Sequence, residues 1–401
     1  MLIEIILFLL LGILFGVITG LIPGIHINMI GTLIVSSSLF IIAEIDVIYL
    51  IVFIVSMSIT HVFVDFIPSI FLGAPESGTE LSVLPGHEML KQGLGFQAVK
   101  LTALGCLIGL FIFILMTLPL SFIAKAFSEI SPGIIQKIIP LVLILVSLNV
   151  IFSERRKAWF ALFAFLLCGT LGLIVLNLDL KEPLVPLLTG LFGASGVLLS
   201  IKSKTKIKKQ NPKAEVKVKK LKPILASAVF SPLSLFFPAL SSGQIAVVGS
   251  RFFKSTREEF LFMLGIVNVL TMAFSFLALF LISKTRTGSA AVIKDLIGVP
   301  ETNIFILIVF VAIFSGLFSF FIVNFLSKKF LLILEKTNYT KISYAVLTIM
   351  AVVTFTVSGF FGLIVLAVCT ATGVYCISLG VSRINMMGCL LLPTIIFYLM
   401  V

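Results

Sequence analysis

Long apolar stretches dominate the sequence, and short segments rich in polar residues, glycine and proline separate them. The stretches cover residues 2–22, 27–42, 47–72, 101–124, 138–152, 158–177, 184–201, 224–250, 262–283, 303–326, 342–380 and 384–401. A helix needs about 20 apolar residues to cross a bilayer, whereas barrel strands alternate with a period of two. The pattern predicts an all-α, polytopic integral membrane protein with about ten to twelve membrane segments, and the 342–380 stretch is long enough for two crossings.

Composition supports this class. Of the 401 residues, 60% are hydrophobic and only 11% are charged, whereas soluble proteins carry about a quarter charged residues. The mean hydropathy is +1.25. Too little polar surface is present to cover a protein in water, which excludes a soluble enzyme.

The net charge of +12 comes mostly from one segment. Between Lys202 and Lys222 the chain has ten lysines and one glutamate. Because apolar stretches flank this segment, the positive-inside rule explains it better than nucleic-acid binding does. We expect a first transmembrane half over 1–201, a cytoplasmic lysine-rich linker over 202–222 and a second transmembrane half over 223–401, with no nucleic-acid partner.

Two pairs of similar segments suggest that the halves are homologous. Gly169–Leu176 resembles Gly359–Leu366, and the segment Pro75–Gly78 has a counterpart in Pro238–Gly243. Each polar segment precedes a long apolar stretch. The shared order predicts an internal duplication, and it leaves open whether the repeats are parallel or inverted.

Pro23 and Gly24 interrupt what would otherwise be one long helix. Proline removes a backbone donor, and exposed backbone groups at membrane depth are tolerated only inside protein or beside water. A helix that begins at such a break offers an anion site, which His26 and Asn28 would supplement. The alternative is a plain turn between two spans.

His61 and Asp65 lie four residues apart, and therefore on one helix face, at the end of an apolar stretch. Ionisable residues inside the membrane are costly and mark ion or proton pathways. We expect this pair to couple transport to Na⁺ or H⁺. The alternative is a pair that satisfies itself at the membrane interface.

Small polar residues cluster in two further loops, one in each half. They are Glu76, Ser77, Gly78 and Thr79 in the first loop, and Ser241, Ser242, Gly243 and Gln244 in the second. Broken helices at corresponding positions in two halves indicate a substrate site near the membrane midplane. Arg251 follows the second loop and would attract an anion. Alternatively, Arg251 belongs to a basic stripe that sets topology.

Catalytic and metal-binding signatures are missing from the sequence. His61, Asp65, Glu76, Glu80 and His87 show no spacing typical of a metal site. Neither a phosphate-binding loop nor a nucleophile elbow occurs. We therefore expect a protein that is not an enzyme and that has no metal and no cofactor, with Na⁺ or H⁺ as possible coupling ions.

Three segments resemble the large membrane subunit of the tripartite tricarboxylate transporters. They are the Pro23-Gly24 motif, the Gly73–Gly95 stretch and the Gly169–Leu198 stretch, which contains Gly-Leu-Phe-Gly-Ala-Ser-Gly-Val-Leu. The resemblance covers about the first 200 residues. It implies a carboxylate substrate and two partners, a small membrane subunit and a solute-binding protein.

The second half also resembles the polyprenyl-phosphate transporters, through the segment Pro238–Phe252. We therefore expect a secondary transporter for an anion of the carboxylate type, coupled to a cation or to protons. The alternatives are a flippase for a polyprenyl-phosphate carrier lipid and an intramembrane enzyme that modifies a lipid. The expected partners of the protein are the anionic or lipid-phosphate substrate and membrane lipid, together with the two subunits that the first resemblance implies.

Overall fold

A computed structural model describes residues 2–22, 27, 30–31, 34, 45–73, 75, 78–128, 132–202, 208–236, 241–336 and 339–400. The described residues form 17 α-helices and no strands. The helices are α1 (Leu2–Leu21), α2 (Val47–Val64), α3 (Phe66–Leu72), α4 (Val83–Lys91), α5 (Gly95–Ser128), α6 (Pro132–Phe152), α7 (Ala158–Leu176), α8 (Leu184–Leu188), α9 (Ser195–Lys202), α10 (Leu221–Phe230), α11 (Leu233–Phe236), α12 (Ser242–Phe252), α13 (Arg257–Ile282), α14 (Gly288–Ile297), α15 (Thr302–Lys336), α16 (Tyr339–Ser378) and α17 (Gly388–Met400).

In the described part of the chain, nine helical segments are long and apolar enough to cross a membrane. Two shorter apolar helices, Pro140–Phe152 and Leu221–Leu235, accompany them. The predicted class, an all-α polytopic membrane protein, is confirmed. The interruption at Pro23 and Gly24 lies outside the described residues.

Helices α5 and α13 form the central pair of the bundle, and each follows one of the two polar loops. A Cβ atom on Gly105 of α5 would overlap the carbonyl oxygen of Phe262, and one on Gly265 of α13 would overlap that of Thr102. Later residues of α5 meet later residues of α13, such as Phe113 with Phe274, so the helices run parallel. This reciprocal crossing is what a parallel duplication would produce, and the division into homologous halves stays a prediction.

Replacement of Gly105 by alanine should destabilise the bundle because the new Cβ meets backbone, which cannot rotate away. Overpacking typically costs about 1–3 kcal/mol. Gly249→Ala is the control, since its nearest neighbour is the flexible Met263 side chain at 3.2 Å. The melting temperature in detergent should fall clearly only for Gly105→Ala. Equal melting temperatures for the two variants would contradict the close crossing.

Glycines also bring α1 against α2. Added Cβ atoms on Gly12 and Gly16 would collide with Ser56 and Thr60, and one on Gly20 would lie 2.8 Å from Val64 Cβ. Small residues at such spacing let backbones approach closely, which is how membrane helices associate without a hydrophobic driving force. The contact fixes the end of α2, where His61 and Asp65 lie.

Helix α16 is 40 residues long and breaks at Gly359, where φ is 69° and ψ is −166°. Ser358 Oγ donates to Glu182 O, just before α8, over 3.1 Å. At the other end, Lys157 Nζ donates to Gly380 O over 3.1 Å. Glu182 and Lys157 flank opposite ends of α7. The part of α16 between Gly359 and Gly380 therefore runs the length of α7, a candidate membrane span. This arrangement supports two membrane crossings in the 342–380 stretch.

The linker is docked against the corner between α4 and α5. Gly95 N donates to Gln210 Oε1 and Gln210 Nε2 donates to Leu90 O, both over 2.9 Å. Gln97 Nε2 donates to Asn211 O over 2.7 Å. Gln210 is buried although lysines surround it in the sequence. The linker therefore contacts the end of α4 and the start of α5, the helices that follow the first polar loop.

Candidate functional site

The second polar loop ends at a capped helix. Ser241 precedes α12, and its side chain accepts a hydrogen bond from Gln244 N over 3.2 Å. In return, Ser241 N donates to Gln244 Oε1 over 2.9 Å. This capping box folds the Gln244 side chain back over the helix N-terminus, where backbone donors and the helix dipole favour negative charge.

Buried hydroxyls hold the first polar loop in place. Ser69 Oγ and Ser82 Oγ both donate to Thr79 O, over 3.1 and 2.7 Å, and lie 2.7 Å from each other. Thr79 is fully buried and precedes the short 3₁₀ turn Glu80–Ser82 that leads into α4. Residues on both sides of the loop thus fix one carbonyl.

The two loops meet directly. Ser242 Oγ lies 3.1 Å from both Gly78 O and Asn268 Oδ1, and it shares its single proton between these two acceptors. Gly78 has a φ of 104°, and a Cβ there would lie 2.6 Å from Asn268 Oδ1. Glycine is therefore required at this contact. The structure brings together Gly78, Thr79, Ser241, Ser242, Gly243 and Gln244 of the predicted site.

Buried donors without partners mark this contact. Gln244 is 1% exposed, and its Nε2 atom has no hydrogen-bond partner in the described part of the chain. The same holds for Asn268 Nδ2, whose side chain contacts Ser242, and for Thr271 Oγ1, about one turn further along α13. Since unpaired buried polar groups are costly, each needs an explanation such as a ligand.

His61 and Asp65 lie in a second buried polar region. Each side chain is 3% exposed. His61 Nδ1 lies 3.0 Å from Thr19 Oγ1 of α1. Asp65 stands at the junction between α2 and α3, and its N–H donates to His61 O over 2.9 Å. The two residues are one turn apart, as predicted, inside a helix that bends at the carboxylate.

Arg251 is not placed at the loops. It lies nine residues beyond Ser242, about 14 Å along the helix at 1.5 Å per residue, and its Nη1 donates to Asn149 O and Asn149 Oδ1 over 2.7 and 2.8 Å. Its guanidinium is thereby tied to α6. The predicted site residues Pro23, Gly24, His26, Asn28, Glu76 and Ser77 lie outside the described residues.

Two polar residues near the loops were missed by sequence reasoning. Asn268 interrupts the apolar helix α13, and a lone amide inside a membrane span was a usable signal. Arg383 begins a short 3₁₀ turn before α17, and in the sequence it reads as a flanking charge. Only the fold shows that its guanidinium lies against Gly196 of α9.

His87 lies close to Arg383 and to the first loop. Its Nδ1 atom is 3.2 Å from Val83 O, and a Cβ on Gly73 would lie 2.7 Å from its Cε1. Burial and, to a smaller extent, the positive charge of Arg383 lower the pKa of His87 to about 4. His87 is therefore neutral at physiological pH. No cluster of three or more metal-ligating side chains occurs within the described ranges.

An apolar groove of about 760 Å³ runs between α9 and α16. Ala194 and Met350 line it, together with small residues of α16 such as Ala367 and Ala371. It adjoins the first loop, because a Cβ on Gly193 would lie 2.9 Å from Met350 and 3.5 Å from Pro75. A polar loop thus borders an apolar surface.

Comparison with known proteins identifies the family. A family model described as the tripartite tricarboxylate transporter TctA family matches residues 6–388, so the similarity extends beyond the first 200 residues that carry the sequence resemblance. A protein of Methanocaldococcus jannaschii, described as uncharacterized, is 30% identical over 404 residues, which span 98% of this chain and 99% of that protein. No solved structure matches. This chain, a multi-pass membrane protein, belongs to the TctA family of tripartite tricarboxylate transporters.

Proposed function

We propose that this protein is the large membrane subunit of a secondary transporter for a carboxylate anion, and that the contact between its two polar loops is the substrate site. The family supports a transporter of tricarboxylates. The loops come from the two predicted halves of the chain, and transporters built from repeats bind their substrates between the repeats.

The observation that carries this proposal is the set of unpaired donors at the contact. Gln244 Oε1 is occupied by the N–H of Ser241, so its Nε2 is held as a donor without an acceptor. Asn268 Nδ2 and Thr271 Oγ1 add two more. A carboxylate offers about four acceptor sites on two oxygens and would satisfy these groups.

The described residues of the two loops touch each other in this structure. Ser242 bridges to Gly78 and Asn268. A substrate would enter by separating the loops, and the Ser242 hydroxyl would then donate to a substrate oxygen instead of to Gly78 O and Asn268 Oδ1. Alternating access requires such a step, since the site must close on one side before it opens on the other.

His61 and Asp65 are the proposed coupling groups. A buried carboxylate at a helix junction provides a site for Na⁺ or a proton, and the neighbouring imidazole provides a second titratable group. The rest of the transporter would follow the family, in which the large subunit works with a small membrane subunit and a solute-binding protein.

Gln244→Glu tests the site without removing the helix cap. Glutamate still accepts the hydrogen bond from Ser241 N, but it replaces the free donor with a negatively charged oxygen. Because a hydrogen bond to a charged group contributes about 1.5–3 kcal/mol, the affinity for citrate should fall by at least about tenfold.

Calorimetric titration of the purified protein with citrate measures this affinity without the partner subunits. Gln92→Glu, a similar change at an exposed position, is the control and should bind as the unmodified protein does. If Gln244→Glu binds citrate as tightly as the control, the loops are not the carboxylate site.

A second candidate substrate is a polyprenyl phosphate, and the apolar groove beside the first loop favours it. An isoprenoid chain would lie along Ala194 and Met350 while its phosphate reached the loop donors. Adding a polyprenyl phosphate in detergent should then raise the melting temperature more than citrate does. A larger shift with citrate would favour the carboxylate.

A further inference from the structure

The side chain of Arg383 is partly buried, and one nitrogen of its guanidinium is enclosed by protein. Its Nη1 atom is inaccessible to solvent and has no hydrogen-bond partner within the described ranges. Neither of the two salt bridges found in those ranges involves it. The carboxylate of Glu154 accepts a hydrogen bond from the backbone of the preceding residue, Ser382, over 3.0 Å.

The surroundings of Arg383 hold its guanidinium against the protein. A Cβ on Gly196 would lie 3.2 Å from Nη1 and 3.8 Å from Nη2, so the guanidinium rests on the backbone of α9. The next residue, Ile384, packs against the cluster of Leu81 and Val247. These two residues belong to the segments that follow the two polar loops.

The positive charge of Arg383 beside the first loop favours the binding of an anion. His87 is neutral at physiological pH, so it adds no positive charge to that of Arg383. Placing an unpaired charge in a protein interior is costly, and natural proteins retain one where a ligand compensates it. A guanidinium has a planar fork of donors that matches two oxygens of a carboxylate or a phosphate.

We propose that Arg383 is an oxyanion-binding residue of the transport pathway, which holds one carboxylate of the substrate on the α9 side of the loops. This inference rests on the proposed function, because the loops would hold the rest of the substrate. The loops contribute neutral donors, and Arg383 contributes the full positive charge that a di- or tricarboxylate requires. Partial charges at helix ends alone would not neutralise such an anion.

Arg383→Gln tests the inference by removing the charge while keeping a planar side chain. The dissociation constant for citrate should rise at least tenfold, and Arg383→Lys should recover part of the loss, because lysine restores the charge without the fork. The melting temperature without ligand should stay equal or rise, since the variant loses a partly buried charge. Arg257→Gln is the control, because Arg257 has its own partner, Glu88, at 3.0 Å, and it should bind citrate normally.

The proposal and the proposed function fail in different ways. If Arg383→Gln binds citrate within twofold of the unmodified protein, Arg383 is not in the pathway, and the loop site still stands. If Arg383→Gln melts at a lower temperature without ligand, Arg383 is structural and the inference is wrong.

Inorganic phosphate and a polyprenyl phosphate serve as further probes. If the unmodified protein binds either of them through Arg383 and does not bind citrate, the proposed carboxylate function is wrong and the oxyanion site stands. Comparison of the two probes then shows whether the site takes free phosphate or lipid phosphate. If it binds none of the three, both proposals are overturned.

Discussion

Asp65→Asn should abolish the dependence of citrate binding on Na⁺ or pH and should leave the fold intact. The carboxylate is 3% exposed at the junction of α2 and α3, and asparagine has nearly the same shape without the charge. If Asp65 binds the coupling ion, the ion and the substrate raise each other's affinity by the same factor. Typical coupling free energies of about 1–3 kcal/mol correspond to a roughly 5–150-fold change in affinity.

Calorimetric titrations with citrate over a range of Na⁺ concentrations and pH values measure this coupling. The Asn variant should show one weak affinity under all conditions, whereas the unmodified protein should bind more tightly as the coupling ion increases. Asp179→Asn removes an exposed carboxylate and should change nothing. If the Asn variant keeps the full ion dependence, Asp65 does not bind the coupling ion. If the Asn variant fails to fold, Asp65 has a structural role.

Gly78→Ala should abolish substrate binding by disturbing the contact between the loops. The residue has a φ of 104°, and its Cβ would lie 2.6 Å from Asn268 Oδ1 and 2.8 Å from Ser242 Oγ. The added methyl would displace both partners, and the backbone would also be strained, because positive φ favours glycine.

Gly298→Ala is the control that separates backbone strain at a positive φ from the collision of the new Cβ with its neighbours. Gly298 also has a positive φ, of 72°, but an added Cβ meets nothing within 4 Å. Both variants should lose some thermal stability, while only Gly78→Ala should lose citrate binding. Equal binding by the two variants would mean that the geometry at Gly78 does not matter to the substrate.

The apolar pattern of the sequence predicted the fold class because a membrane helix requires a continuous apolar stretch. The pattern also placed Gly78, Ser242 and Gln244 in polar breaks, where backbone groups need partners. It marked Asn268 only as a lone amide in an apolar stretch, and the packing of the second loop against α13 shows what this amide contacts.

Long-range packing also decides the different surroundings of two arginines. Arg251 and Arg383 both look like charges that flank apolar stretches, and periodicity does not distinguish them. The fold ties Arg251 to Asn149 and leaves Arg383 beside Gly196. The sequence resemblance, limited to the first half, likewise missed a family match that extends to residue 388.

A structure of the protein with bound citrate tests most directly the claim that both loops form one carboxylate site. We predict citrate between Gly78 and Ser242, with its oxygens accepting hydrogen bonds from Gln244 Nε2 and Asn268 Nδ2, and with the present contact between Ser242 and Gly78 O broken. Citrate bound to one half alone, or away from both loops while that contact stays intact, would contradict the account.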